Sequence, residues 1–136
     1  MIFVDSGAFI ARHLAKDQHH KVASRVWMDI GRSGERCLTS NFVVDEALTL
    51  IGRRAGRRFA ASVGRRIYAS RFLEIVRPGA DDEMAALARL EKLHDQDVSF
   101  TDCVSFVLME RRKVRRAFTF DHHFQIAGFE MVPGPG

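Results

Sequence analysis

Short unbroken apolar runs alternate along this chain with longer stretches in which apolar residues return every three or four positions. Ile2-Phe3-Val4 is a run of the first kind, bulky and partly β-branched. It reads as a strand buried on both faces, as at the centre of a parallel sheet. The run stops at Asp5, and Ser6 and Gly7 then offer a turn and a helix N-cap. Ala8 to Leu14 suit a short helix. Asp17 or Gln18 opens a second one, in which Val22, Ala23, Val26, Trp27 and Ile30 recur at helical spacing until the glycines at 31 and 34. Cys37-Leu38-Thr39 reads as the second strand. Ser40 or Asn41 caps the next helix, whose apolar face is Val44, Ala47, Leu48 and Ile51. Phe59, Ala60, Val63 and Ile67 mark a further amphipathic helix with a basic outer side.

In the second half, Phe72 to Val76 is the third strand, closed by Pro78-Gly79. Asp81 and Asp82 open a helix carrying Met84, Leu87, Ala88 and Glu91 along one side. After a polar loop through Asp97, Ser99 leads into a helix that is apolar around most of its circumference, and which must be packed on several sides. Ala117 to Phe120 is the fourth strand, ending at Asp121, and Phe129 to Val132 a short fifth. Strands alternating with helices predict an α/β architecture, a parallel sheet of four or five strands layered between helices. A single domain over 1–132 and a frayed tail at 133–136 follow from the absence of any linker or repeat.

Composition adds two constraints. The chain of 136 residues carries 21 Lys and Arg against 17 Asp and Glu, a net charge of +4, which suits an anionic partner. The two cysteines sit among apolar residues without zinc-type spacing, as buried thiols of a reducing compartment do. No apolar run approaches the ~20 residues needed to span a bilayer. With Asp5 interrupting the apolar start, no signal peptide is legible either. A cytoplasmic protein is expected.

The chemistry is carried by acids. Asp5 and Asp121 end two strands, and right-handed crossovers put the C-terminal ends of parallel strands on one edge. Glu46 and Asp102 lie near the starts of helices that begin at that same edge. Each has a purely local alternative: Asp102 completes a capping box with Ser99, Asp121 suits an Asx turn, and the helix dipole favours Asp45 and Glu46 where they stand. Taken together, gathered carboxylates repel, and Mg²⁺ relieves the conflict. Such ions activate water and steady a leaving oxygen at phosphorus. The Arg-rich stretch with Arg53, Arg54, Arg57 and Arg58 suits RNA phosphates or an acidic protein, although charge runs are commonly just solvated. His19-His20 and His122-His123 lack the spacing of a metal site, since neighbours on a helix do not share a face.

Phe3-Val4-Asp5-Ser6, Thr39-Ser40 ahead of Glu46, Ser99-Phe100-Thr101-Asp102 and Thr119-Phe120-Asp121 together resemble the PIN-domain ribonucleases, in particular the small VapC toxins of toxin–antitoxin pairs. The resemblance spans Ile2 to about Val132. It implies a three-layer α/β/α sandwich and a Mg²⁺- or Mn²⁺-dependent endoribonuclease acting through Asp5, Glu46, Asp102 and Asp121. It favours Glu46 over its neighbour Asp45, and gives Ser6 and Thr101 supporting roles. Asp97 is either an auxiliary ligand or loop. The resemblance also implies a homodimer and a cognate antitoxin lying over the site. Two other functions compete: an RNA-binding module that keeps the acids for structure, and a phosphatase of the haloacid-dehalogenase kind. The latter lacks its second acid two residues after Asp5.

Overall fold

Twelve elements follow one another in the computed structural model, which describes residues 1–134. They are β1 (Ile2–Val4), α1 (Ser6–His13), α2 (His20–Ser33), β2 (Cys37–Ser40), α3 (Asn41–Ala55), α4 (Arg57–Ala69), β3 (Leu73–Val76), α5 (Ala80–Lys92), α6 (Phe100–Arg112), β4 (Arg116–Phe118), α7 (His123–Ile126) and β5 (Glu130–Val132). The five strands form one parallel sheet in the order β3-β2-β1-β4-β5, flanked by the helices. The expected tail at 133–136 runs past Gly134 and there lies outside the described residues.

The burial pattern explains the order. All three residues of β1 are fully buried, as the centre strand of a covered parallel sheet requires. Phe3, Phe106 and Phe124 fill the layer on one face, Phe124 meeting Phe106 edge-on at 5.0 Å between ring centres, while Phe118 packs on Trp27 at 5.1 Å on the other. α6 is buried continuously from Asp102 to Met109, matching its all-round apolar sequence. α4 packs on α3 where Gly64 leaves room: a Cβ there would stand 2.9 Å from Leu48 Cδ1. Both cysteines are free and buried. Among the described residues no helix is long and apolar enough to cross a membrane.

Three expectations need correction. α5 leans on α6 through Ala86, while Met84 and Leu87 are exposed. Its buried side is therefore rotated away from the face carrying the largest apolar residues. β4 stops at Phe118, because Thr119 and Phe120 already carry the chain over the sheet edge, although the Thr119 N–H still reaches Val132 O at 3.1 Å. A short helix, α7, fills the connection to β5, too brief to show a periodicity.

One buried hydroxyl sets the height of β2 against β1. Thr39 Oγ1 donates to Val4 O at 2.7 Å, across 35 residues of sequence. Replacing Thr39 by Val, which keeps the shape but removes the donor, is expected to lower the unfolding free energy by about 1 kcal/mol in urea titrations, whereas Thr39→Ser retains most of it.

Candidate active site

β1 is where the strand order reverses. Its sequence neighbour β2 lies on one side and the distant β4 on the other, and parallel α/β sheets collect ligands in the crevice outside such a switch point. Asp5 follows β1 directly and continues the ladder, its N–H donating to Phe118 O at 3.0 Å. Asp5, not Ser6, is the N-cap residue of α1. Its backbone carbonyl accepts from Ala8 N, and its side chain takes no part in the cap. Ser6 is the first helical residue and turns its hydroxyl elsewhere, onto Glu46 Oε1.

The crevice is an open groove of about 630 Å³, and Asp5, Glu46, Asp97, Asp102 and Asp121 all line it. Glu46 enters from α3 together with Leu50, one turn on, while Asp45 is exposed on another side of that helix. Of the supporting residues, Ser6 lines the groove. Thr101 does not; its carbonyl accepts the Ser105 hydroxyl within α6. Arg53, Arg54, Arg57 and Arg58 are exposed where α3 gives way to α4 and do not line the groove. Arg54 pairs with Asp17 at 3.4 Å.

Four carboxylates are each held by one oxygen. Asp5 Oδ2 accepts from the Thr119 hydroxyl at 2.8 Å, and Thr119 Oγ1 in turn accepts from Asp121 N at 3.0 Å. Glu46 Oε1 accepts from Ser6. Asp102 Oδ2 accepts from Ser99 N at 2.9 Å while Ser99 Oγ accepts from Asp102 N, a complete capping box. Asp121 Oδ1 accepts from His123 N at 2.9 Å, an Asx turn, and the His123 ring nitrogen Nδ1 lies 2.7 Å from the same oxygen. The second oxygen of each carboxylate has no protein partner among the described residues, and that of Asp5 is buried outright.

This arrangement is electrostatically unfavourable as it stands. Burial, partly offset by the hydrogen bond from Thr119, pushes the Asp5 carboxyl up to about 7; the charges of Asp102 and Glu46 push in the same direction. Asp102 is raised too, chiefly by burial, with Asp121 and Glu46 adding to it. A buried, unpartnered carboxylate oxygen facing further acids fits a divalent cation with hard oxygen ligands. Nearby, Asp121, His122 and His123 bring three ligand atoms within 4.8 Å of one another. The sequence argument against adjacent histidines fails here, because His122 is the N-cap of α7 and the turn sets the two rings 4.2 Å apart. Thr119, His122 and His123 are the local residues that periodicity did not single out. The one signal available for Thr119 was its place two residues before Asp121.

The raised Asp5 carboxyl makes stability depend on pH. The folded state holds this proton up to about pH 7, whereas the unfolded chain releases it near 3.8, so between those values the folded state binds more protons. The contribution of Asp5 is therefore complete below the lower value and is lost as pH rises through the upper one. In EDTA, Asp5→Asn is expected to melt several degrees above the unsubstituted protein at pH 8. The gap should close as pH falls toward 4, and calorimetry across that range measures it.

A PIN-domain family model matches residues 2–130. The chain is 35% identical over 132 residues to the 23S rRNA-specific endonuclease VapC20 of Mycobacterium tuberculosis, covering 97% of this chain and 98% of that protein. The crystal structure of M. tuberculosis VapC20, a sarcin-ricin loop cleaving toxin, superposes with a TM-score of 0.87 at 32% identity, over 95% of this chain and 96% of that one. VapBC2 from Rickettsia felis, crystallised on a DNA fragment from its promoter, shares the fold with a TM-score of 0.68 at 13% identity, over 96% and 97% of the two chains.

Proposed function

The chain belongs to the PIN-domain family, and from that premise we propose that it is a divalent-metal-dependent endoribonuclease, the toxin of a toxin–antitoxin pair, that cuts ribosomal RNA. The observation that carries the reading is the quartet Asp5, Glu46, Asp102 and Asp121, each fixed through one oxygen with the other left without a protein partner. A purely structural role requires no such division. A capping box, an Asx turn and the Thr119 hydroxyl account for one oxygen each of Asp102, Asp121 and Asp5, but the other oxygen of Asp5 is buried at a cost with no partner.

Asp5, Glu46, Asp102 and Asp121 would hold Mg²⁺ or Mn²⁺, with Asp97 at the rim of the same groove. When bound, such an ion supplies polarisation of a phosphoryl oxygen and an activated water at neutral pH. The chain's own residues supply the frame. Thr119 fixes Asp5 and, through Asp121 N, ties the second strand-end acid to the first. Ser6 fixes Glu46, and Ser99 fixes the backbone and side chain of Asp102. The reaction is hydrolysis with the 3′-oxygen leaving, which yields 5′-phosphate and 3′-hydroxyl ends.

The ribosomal substrate is supported by the relative that this chain matches along its length, a 23S rRNA-specific endonuclease. An antitoxin partner is supported by the fold shared with VapBC2. In this reading the antitoxin covers the acidic groove, the toxin is a homodimer in the cytoplasm, and Arg53, Arg54, Arg57 and Arg58 meet an anionic partner, RNA or antitoxin, outside the groove.

Asp5→Asn is expected to lower cleavage of purified ribosomes or ribosomal RNA at least 100-fold, on the scale of losing a preorganised electrostatic group. Excess EDTA should abolish cleavage, and added Mg²⁺ or Mn²⁺ should restore it. Sequencing the cut ends tests the chemistry. Unchanged cutting in EDTA, or 2′,3′-cyclic ends, would overturn the metal-dependent mechanism, and metal-independent RNA binding without cutting would favour the non-catalytic module.

A further inference from the structure

The acidic groove offers an RNA chain very little to hold. Among the described residues no lysine or arginine lines it, and five of its residues are Asp or Glu. Apart from His122, the charged side chains that a phosphate meets there are all acids. The nucleotide flanking the scissile bond must therefore be held by neutral surface, and the one phenyl ring in the groove wall belongs to Phe120, the residue immediately before Asp121.

That ring is fixed. His19 stacks on it with ring centres 4.1 Å apart and planes 4° from parallel. His19 is itself held at the start of α2, its N–H donating to Asp17 Oδ1 at 2.9 Å. Phe118 meets Phe120 edge-on at 6.2 Å. Phe120 packs against the edge of the core, yet it stays half-buried and also lines the groove among the carboxylates. A prepositioned ring at an RNA-cutting site is what a nucleobase stacks on: base–aromatic stacking is sequence-tolerant and independent of charge.

Resting on the endoribonuclease reading, we propose that Phe120, braced by His19, is the stacking platform for a base next to the scissile phosphate. Bases within a continuous A-form duplex are stacked on one another and cannot reach the ring without being extruded. The proposal makes Phe120 a specificity-determining residue, distinct from the four carboxylates, which treat every phosphate alike.

The test uses the full chain carrying Asp5→Asn, so that RNA stays intact. A short single-stranded RNA with a central 2-aminopurine is titrated in Mg²⁺, with fluorescence as the readout. Phe120→Leu keeps apolar volume without a π-face, and Phe120→Tyr keeps the ring. The leucine variant is expected to bind about 5- to 100-fold more weakly and to lose the fluorescence quench, with the tyrosine variant retaining both. Replacing the 2-aminopurine with an abasic site should weaken binding by a similar factor where Phe120 is present and change nothing in Phe120→Leu. A matching duplex should bind more weakly than the single strand. Equal behaviour of the leucine and tyrosine variants at equal melting temperature overturns the proposal, as does indifference to the abasic site or equal affinity for the duplex. If Phe120-dependent binding holds while the unsubstituted protein cuts no RNA, the nuclease reading falls and the stacking site stands. If RNA is cut but ring and base show no coupling, the stacking site falls and the nuclease stands.

Discussion

The fold turns on one buried hydroxyl, that of Thr119. It donates to Asp5 Oδ2 and accepts from Asp121 N, so the end of β1 and the loop after β4 are joined through a single oxygen atom. Without that link the central strand would end in a carboxylate only 5% exposed and without a side-chain partner, an expensive burial. With it, the C-terminal ends of β1 and β4 are locked at a common height, and the switch-point crevice acquires a floor. The Thr39 hydroxyl does the same on the other side of β1, tying β2 to Val4 O. Both flanks of the central strand are thus registered by a threonine, and α3, which follows β2 without a loop, delivers Glu46 at a defined position.

The local and the functional readings of the acids turn out to be compatible, because a carboxylate has two oxygens. Asp102 is a capping-box residue and Asp121 an Asx-turn residue, as their spacing suggested, yet each spends only one oxygen on that role. Capping and turn formation hold one oxygen of each side chain in place, and both residues line the groove. That restriction is what an oxygen-ligand site needs if it is to bind without first paying to order its ligands. Helix capping and ligand preorganisation are here one set of hydrogen bonds.

The sequence made legible what depends on local pattern. The short apolar run ending in Asp5, the all-round apolar α6 and the strand–helix alternation all predicted the sheet and the edge where the acids meet. It could not make legible what depends on which face meets which. Asp45 and Glu46 are adjacent, and only the burial of Val43 and Ala47 against the core determines that Glu46, in line with Leu50, turns to the groove. α5 shows the same limit: large apolar residues face solvent at Met84 and Leu87, while Ala86, with Ala85 and Leu90 beside it, makes the contact to α6. The roles of Thr119 and His123 were hidden because β4 ends earlier than its apolar run, at Phe118, which turns a strand-like stretch into the site's own loop.

Charge is divided sharply over the molecule, and the division constrains how RNA can lie. The net charge is positive, yet the groove holds only acids and neutral residues. The arginines at 53, 54, 57 and 58 gather at the far end of α3. Seven residues separate Glu46 from Arg53, about 10 Å along the helix. In the proposed reading, long-range attraction favours a polyanion at the helical surface, whereas the acids of the groove oppose its phosphates unless a cation compensates them. Under those opposing fields a backbone phosphate enters the groove only where something else holds its nucleotide in place. A neutral, immobile ring at the wall meets that requirement for a base free to leave its stack and fails to meet it for a paired one.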